Sequence, residues 1–267
     1  MSSIDTVILD WAGTAVDCGC CAPVGVFVEV FRREGLEVSM AEAREPMGTQ
    51  KREHIRRMVR APRLSQAWEQ VHGRRATDED IDRMYANAEP LAVEVLPSFA
   101  TPIPGVLSAV EQLRAGGLKV GSCTGYSESM LDVLAEAAAS HGYVPDVRVA
   151  ATEVPEGRPA PDMPLEVAAR LGVAPGANCV VVGDTPVDVG SGLAAGMWAI
   201  GVAATGNLVG RTVDEMEACD PEVLAQEVSR ARQALYDAGA HLVIDSLAGL
   251  PAAIAAIERG AHLGSHP

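Results

Sequence analysis

Two hydrophobic rhythms alternate along the chain. It opens with a short, mostly apolar run, Thr6–Leu9, ending in Asp10 and followed by Trp11-Ala12-Gly13-Thr14. A run without polar alternation that feeds a glycine turn predicts a strand buried on both faces, as in a parallel sheet. From Ala22 to Val95 the spacing turns helical. Val26, Val30 and Phe31 share a face, and Ala41–Arg60, Leu64–His72 and Asp78–Val95 are amphipathic, with Thr77 placed to cap the helix that begins Asp78-Glu79-Asp80. No strand pattern interrupts this stretch. Pro97, Pro102, Pro104 and Gly105 then punctuate the chain. Beyond them the pattern predicts helices near Val106–Ala115, Ser129–His141, Met163–Leu171, Val187–Ala195, Pro221–Ala238 and Ala248–Arg259. Between these it predicts strands at Lys119–Ser122, Val147–Ala150, Cys179–Val182, Trp198–Val202 and His241–Ile244.

Alternation of this kind makes an α/β fold, a doubly wound, Rossmann-like parallel sheet with helices on both faces. The helical block interrupts it just after the first strand. The expected organisation is a core domain from residues 1–21 and 98–267 with an inserted all-helical cap domain at 22–97.

Composition narrows the function. The chain has 267 residues, 48% of them apolar and 21% charged, within the globular range. Its net charge of −15 repels phosphate backbones and anionic lipid, so roles on nucleic acid or a membrane surface are not expected. No apolar run approaches the roughly 18 residues of a membrane span. MSSIDTVILD lacks the basic region of a signal peptide, and a cytoplasmic location is expected. The six cysteines have no zinc spacing and read as reduced thiols, with the Cys18-Gly19-Cys20-Cys21 cluster the least easily dismissed. Of 21 basic residues only Lys51 and Lys119 are lysines. An amine can lose its proton and condense with a carbonyl, which a guanidinium cannot. Lys119, in GGLKV, reads as a solvated charge entering a strand, which leaves Lys51 as the amine of interest.

Ligands of doubly wound sheets bind at the carboxyl ends of the strands. There stand Asp10 after the first strand, Thr124-Gly125 after the second, Arg158 in a loop after the third, and Asp184 with Asp188 after the fourth. Carboxylates converging on one rim repel each other unless a divalent cation lies between them, and hard oxygen ligands suit Mg²⁺. Thr124, N–H groups at a helix start and Arg158 are suited to phosphate oxygens. The alternative for Thr124 is a helix N-cap alone, although capping and phosphate binding use the same geometry and do not exclude each other.

DWAGT, SCTGY and GDTPVDVGSGLAAGM resemble the signature loops of the haloacid dehalogenase superfamily, whose members form an aspartyl-phosphate. Two departures resemble one branch, the phosphonoacetaldehyde hydrolases. Ala12 stands where phosphatases carry a second Asp as general acid, and Arg158, in EGRPAPD, replaces the usual Lys. The segment EAREPMGTQKREH is similar to that branch's cap. The resemblance implies an aspartyl nucleophile at Asp10 and a Schiff-base lysine at Lys51. It implies Mg²⁺ held by Asp10, Asp184 and the Ala12 carbonyl, with Asp188 orienting the surroundings of the ion. It also places Met47, His54, Cys20 and Tyr126 at the site, beside Thr124, Gly125 and Arg158 on the phosphonyl group.

The chemistry accounts for the pattern. A phosphate ester needs an acid to protonate the departing oxygen. A phosphonate must expel carbon, and an iminium formed from the aldehyde can accept the electrons of the breaking C–P bond. Burial beside cationic groups should lower the Lys51 pKa below about 10.4. Competing readings are a phosphomonoesterase or phosphomutase on the same fold, which Ala12 disfavours, and an inactive binding protein of that fold. For Lys51 the alternative is a surface charge in a basic run with Arg52, Arg56 and Arg57. For His54 it is a solvated side chain rather than a proton relay. The expected substrate is a small phosphonate. The resemblance also implies a homodimer through the cap, with Val26, Val30 and Phe31 as candidate interface residues. Gly190-Ser191-Gly192-Leu193-Ala194-Ala195 fits a loose dinucleotide-binding pattern but does not open from a strand, and tight helix–sheet packing is the expected role.

Overall fold

The computed structural model describes residues 4–260; residues 1–3 and 261–267 of the expected core lie outside the described residues. Strand β1 (Thr6–Leu9) is wholly buried. Five helices follow: α1 (Cys21–Arg33), α2 (Met40–Arg44), α3 (Lys51–Arg60), α4 (Pro62–His72) and α5 (Asp78–Val95). The α/β part continues through α6 (Val106–Ala115), β2 (Lys119–Thr124), α7 (Glu128–Ser140), β3 (Val147–Ala150), α8 (Asp162–Leu171), β4 (Cys179–Gly183) and α9 (Pro186–Ala194). It ends with β5 (Trp198–Val202), α10 (Val213–Glu217), α11 (Pro221–Asp237), β6 (Leu242–Ile244) and α12 (Leu250–Glu258). The six strands are parallel in the order β3-β2-β1-β4-β5-β6. Strand order reverses on either side of β1, and the crevice at such a switch point is where ligands of these sheets bind.

Register decides what meets there. Leu9 lies opposite Ser122 of β2 and Val182 of β4, so the residues that follow, Asp10, Cys123-Thr124 and Gly183-Asp184, emerge at one edge. Asp10 is fixed further by its amide, which donates to the Val182 carbonyl at 2.9 Å. Behind it, buried Trp11 donates to Ser122 Oγ at 3.0 Å and packs edge-on against Tyr143. On the other face of the sheet, Gly192 of α9 has no room for a side chain, since a Cβ would stand 2.9 Å from that of Val181. The small-residue run at 190–195 is thus a packing device.

The helical insertion departs from the expected pattern in two ways. Ala41–Arg60 is broken between Arg44 and Lys51. Pro46 has no N–H to offer a helix, and Gly48 takes φ +87°, so the chain turns there and starts a second helix at Lys51. In addition, Val26, Val30 and Phe31 are not available as an interface. They are 6%, 1% and 0% exposed, and form part of the hydrophobic core shared by the insertion and the sheet. Thr77 caps α5 as expected, with Asp80 reaching back to the Thr77 amide in a reciprocal capping box. Asp17, with φ 52°, accepts from the Cys21 and Ala22 amides at 2.9 and 3.1 Å and so anchors the start of α1. Among the described residues, no helix is long and apolar enough to cross a membrane.

Candidate active site

The turn at 45–50 sets the insertion against the strand edge. A side chain at Gly48 would run into Thr185 Oγ1, and the Thr49 carbonyl lies 2.6 Å from where a Cβ on Gly125 would be. The insertion thus meets the loop after β2 backbone to backbone and sits with Gly48 against side chains of the loop after β4. Between them is a cavity of about 20 Å³, room for roughly one water. It is lined by Asp10, Ala12, Cys20, Met47, Lys51, Thr124, Gly125, Tyr126, Arg158 and Asp184. Ten of the twelve residues singled out from the sequence therefore share one enclosed space. His54 and Asp188 stand behind that lining.

On the core side, Arg158 Nη1 lies 2.7 Å from both Asp10 Oδ1 and Asp188 Oδ1, and Nη2 donates to the Cys123 carbonyl at 2.9 Å. All three charged side chains are nearly inaccessible. Asp188 accepts at its other oxygen from the Thr185 amide and hydroxyl. Asp184 accepts at Oδ2 from the Asn207 amide (2.6 Å) and from Cys20 Sγ (3.2 Å). One oxygen from each of Asp10, Asp184 and Asp188 falls within 4.8 Å of the others. Burial pushes the Asp10 carboxyl up to about 6, with Arg158 opposing and Asp188 reinforcing the shift. Asp184 is pushed well above the ordinary carboxylate range, first by burial and then by repulsion from Asp10 and Asp188. Three carboxylates face one guanidinium. A hard divalent cation fits both the oxygen donors and the surplus of negative charge.

Thr124 is not a helix cap. Ser127 caps α7, accepting from the Met130 amide, while Thr124 Oγ1 accepts from the Tyr126 amide at 3.3 Å within the cavity wall.

On the insertion side, Lys51 is the first residue of α3 and only 6% exposed. Its basic neighbours point elsewhere: Arg52 pairs with Asp82, and Arg56 and Arg57 with Glu53, at partly exposed positions. The surface-charge reading of Lys51 is thereby overturned. Its Nζ lies 4.6 Å from the Tyr126 ring centroid and 5.8 Å from that of Phe27. Burial pulls its pKa down to about 8, with Asp10 resisting and Arg158 assisting. The solvated reading of His54 fails too: it is fully buried and stacked on Phe27 at 3.8 Å. Its Nε2 lies 2.9 Å from the Ala43 carbonyl, which can only accept, so Nε2 carries the proton and Nδ1 is a buried lone pair without a protein partner. Burial and the nearby Lys51 hold the imidazole well below its ordinary pKa, so it is neutral. Lys119, by contrast, is exposed and donates to the Leu171 carbonyl.

Sequence reasoning missed Thr185, Asn207 and Phe27. Thr185 could have been found, since Thr-x-x-Asp at 185–188 is a capping signature. Asn207 and Phe27 carry no local signal, because only the tertiary fold brings them to the cleft.

Comparison with known proteins gives a consistent result. The family model described as haloacid dehalogenase-like hydrolase matches residues 4–196. A phosphonoacetaldehyde hydrolase of Nitratidesulfovibrio vulgaris (strain Miyazaki F) is 45% identical over 264 residues, 99% of this chain and 94% of that protein. One from Hahella chejuensis is 42% identical, covering 99% and 90% of the two chains. The crystal structure of a phosphonoacetaldehyde hydrolase-like protein from Oleispira antarctica superposes with a TM-score of 0.95 at 42% identity, covering all of this chain and 96% of that one.

Proposed function

The chain belongs to the haloacid dehalogenase-like hydrolases, alongside relatives that are phosphonoacetaldehyde hydrolases, and from that premise we propose how it cleaves the C–P bond of phosphonoacetaldehyde to give acetaldehyde and phosphate. The observation that carries this reading is a single buried lysine amine enclosed in one cavity with an aspartate nucleophile, at a site with Ala12 where a leaving-group acid would stand.

Neutral Lys51 attacks the aldehyde carbon, water departs to leave an imine, and a proton taken up at its nitrogen gives the iminium. Asp10 then attacks phosphorus. As the C–P bond breaks, its electron pair moves into the iminium, giving an enamine on Lys51 and an aspartyl-phosphate on Asp10. Protonation and hydrolysis of the enamine release acetaldehyde; water attacking the aspartyl-phosphate releases phosphate and restores Asp10. The order follows from the electron sink, since attack on phosphorus before imine formation would have to expel a bare carbanion. Arg158 holds the phosphonyl oxygens and keeps Asp10 ionised against its burial. Thr124 and the Gly125 amide complete the phosphonyl cradle. Met47, Cys20 and Tyr126 wall the substrate, and neutral His54, with its free Nδ1, accepts and returns protons during imine formation and hydrolysis.

Mg²⁺ held by Asp10, Asp184 and the Ala12 carbonyl would neutralise charge on the phosphonyl oxygens. Asp188, already committed to Arg158 and Thr185, positions those groups. The proposal includes a cap, residues 22–97, that opens to admit substrate, because the cavity as it stands is too small for it. It also includes a cytoplasmic location and a homodimer through the cap, whose exposed apolar side chains include Met40 and Val71 rather than the buried residues first considered.

Borohydride reduction in the presence of phosphonoacetaldehyde tests the scheme. Asp10→Asn should lose C–P cleavage yet be trapped with the label on Lys51. A label on Lys119, or on no lysine, would overturn it in favour of a phosphomonoesterase.

A further inference from the structure

We propose that Arg44 and Asn207 form a latch that couples seating of the cap to the position of the Asp184 carboxylate, so that closure and metal binding favour each other. This rests on the functional reading above and names two positioning residues for that same site.

Arg44, the last residue of α2, reaches from the insertion into the core with both terminal nitrogens of its guanidinium. Nη1 donates to the Gly19 carbonyl and to Asn207 Oδ1 (3.2 Å), and Nη2 donates to the Gly210 carbonyl at 3.0 Å. Asn207 answers, its Nδ2 donating to the Arg44 carbonyl at 3.1 Å. A planar guanidinium is suited to holding several fixed acceptors at once, which an ammonium is not.

Two of the core partners lie next to the metal carboxylate. Asn207 donates its own amide to Asp184 Oδ2 at 2.6 Å. Gly19 immediately precedes Cys20, whose thiol donates to the same oxygen at 3.2 Å. On the insertion side, the residue before Arg44 is Ala43, whose carbonyl holds His54 at 2.9 Å on the helix that begins with Lys51. A path of alternating hydrogen bonds and covalent links therefore runs from the Schiff-base helix through Ala43, Arg44 and Asn207 to Asp184. Opening the cap would withdraw Arg44 and release the segment that fixes Asp184 Oδ2. Groups that orient a metal ligand commonly govern affinity for the ion. Coupling must be reciprocal, so a bound ion should in turn favour the closed cap.

The test is Mg²⁺ affinity measured by calorimetry without substrate, on the full chain, for Arg44→Met, Asn207→Ala and the double variant. Arg44→Met keeps the stem and removes every donor. It should weaken Mg²⁺ binding about tenfold although Arg44 lies outside the ligand set. Asn207→Ala should weaken it less, and the double variant should be no worse than Arg44→Met. In small-angle scattering, Mg²⁺ should contract the wild-type chain more than Arg44→Met. Affinity within twofold of wild type in Arg44→Met, losses that multiply in the double variant, or equal contraction would each overturn the proposal. If Arg44→Met melts too low to assay, Arg44→Gln, which keeps one donor nitrogen, gives the same reading in milder form. An intermediate loss supports the latch; wild-type affinity overturns it. None of these arms needs phosphonoacetaldehyde. A wild-type chain that released no phosphate from that substrate would therefore count against the functional reading and leave the latch standing.

Discussion

Two clusters of arginine and aspartate occupy this molecule, one in the cleft and one on the helical insertion, and they differ in stoichiometry. On the insertion, Asp80 is 1% exposed. It accepts from Arg74, from Arg83 at 2.8 Å, and from the Thr77 amide and hydroxyl. Two cations serve one carboxylate. The hydrogen bonds from Arg74, then those from Thr77 and Arg83, hold Asp80 far below the ordinary carboxylate range. In the cleft the ratio is inverted: Asp10 and Asp188 share the single guanidinium of Arg158, Asp184 has no cation in hydrogen-bond contact among the described residues, and Asp10 and Asp184 are pushed upward. The residue types are the same, but Arg74 and Arg83 are about half exposed whereas Arg158 is buried with its carboxylates. A satisfied cluster holds structure, whereas an unsatisfied one stores a demand for positive charge that an ion and a substrate can meet.

The largest test of that contrast removes the chemistry that only the cleft contains. Lys51→Arg keeps a cation in the cavity but cannot form an imine, so turnover should fall by about four orders of magnitude or more, with borohydride trapping abolished. Phosphate release near the wild-type rate would show that the cleft works as an ordinary phosphatase. Next in size is Arg158→Lys. An ammonium is one nitrogen on a shorter stem and lacks the fork that reaches Asp10 and Asp188 from Nη1 and the Cys123 carbonyl from Nη2, and it adds a second amine. We expect kcat/KM to fall about a hundredfold or more in steady-state kinetics, with the melting profile showing a folded chain. Kinetics within a factor of a few of wild type would mean that Arg158 is an inert structural pair like those around Asp80.

How much of this contrast was legible beforehand depended on locality. The central strand, the helix–strand alternation and the residues at strand ends are written in short stretches whose period and turn chemistry can be read directly; β1, β3 and β5 fall where the pattern puts them. The break in Ala41–Arg60 was signalled by Pro46 and Gly48, yet amphipathic spacing on both sides masked it. The short α10 was also missed, although Thr212 and Glu215 form a capping box. The charge balance of the cleft could not be read at all. That Asp188 shares Arg158 with Asp10, or that Asn207 holds Asp184, depends on loops 20 or more residues apart meeting at one rim. The same limit misled the reading of Val26, Val30 and Phe31, because a helix face apolar enough to dock a partner looks identical to one that docks its own core.

The satisfied cluster gives a stability test of intermediate size. Asp80→Asn removes the charge that Arg74 and Arg83 share and places an amide donor against them. Both arginines are about half exposed, so the cost should be about 2 kcal/mol rather than the roughly 3–5 kcal/mol of a fully buried pair. Denaturant titration should show that loss, with kcat and KM unchanged. A kinetic effect without a stability effect would mean that the two clusters are coupled.

The smallest predicted effect is a pH profile, and its sign follows from the amine. Lys51 attacks only as the free base, and burial sets its pKa to about 8. At pH 7 roughly a tenth of the enzyme has a neutral Lys51, and at pH 9 roughly nine-tenths does, so kcat/KM should rise about tenfold between them. Asp10 must be ionised to attack, and its pKa of about 6 gives a limb on the acid side, which a bound cation would move lower still. The two limbs therefore do not overlap between pH 7 and 9. The stability contribution runs in the same direction: the unfolded chain binds more protons than the folded one between about 8 and 10.5, so the cost of burying this lysine is fully felt below pH 8 and fades as the pH climbs. Asp10→Asn isolates the amine, because it cannot attack phosphorus but retains Lys51. In that variant the rate of borohydride-trapped imine formation should climb with a midpoint at or below about pH 8, because the neutral Asn no longer supports the ammonium. A midpoint near 10.5 would mean that the cleft leaves the amine as it is in water, and the contrast between the two clusters would then have no catalytic consequence.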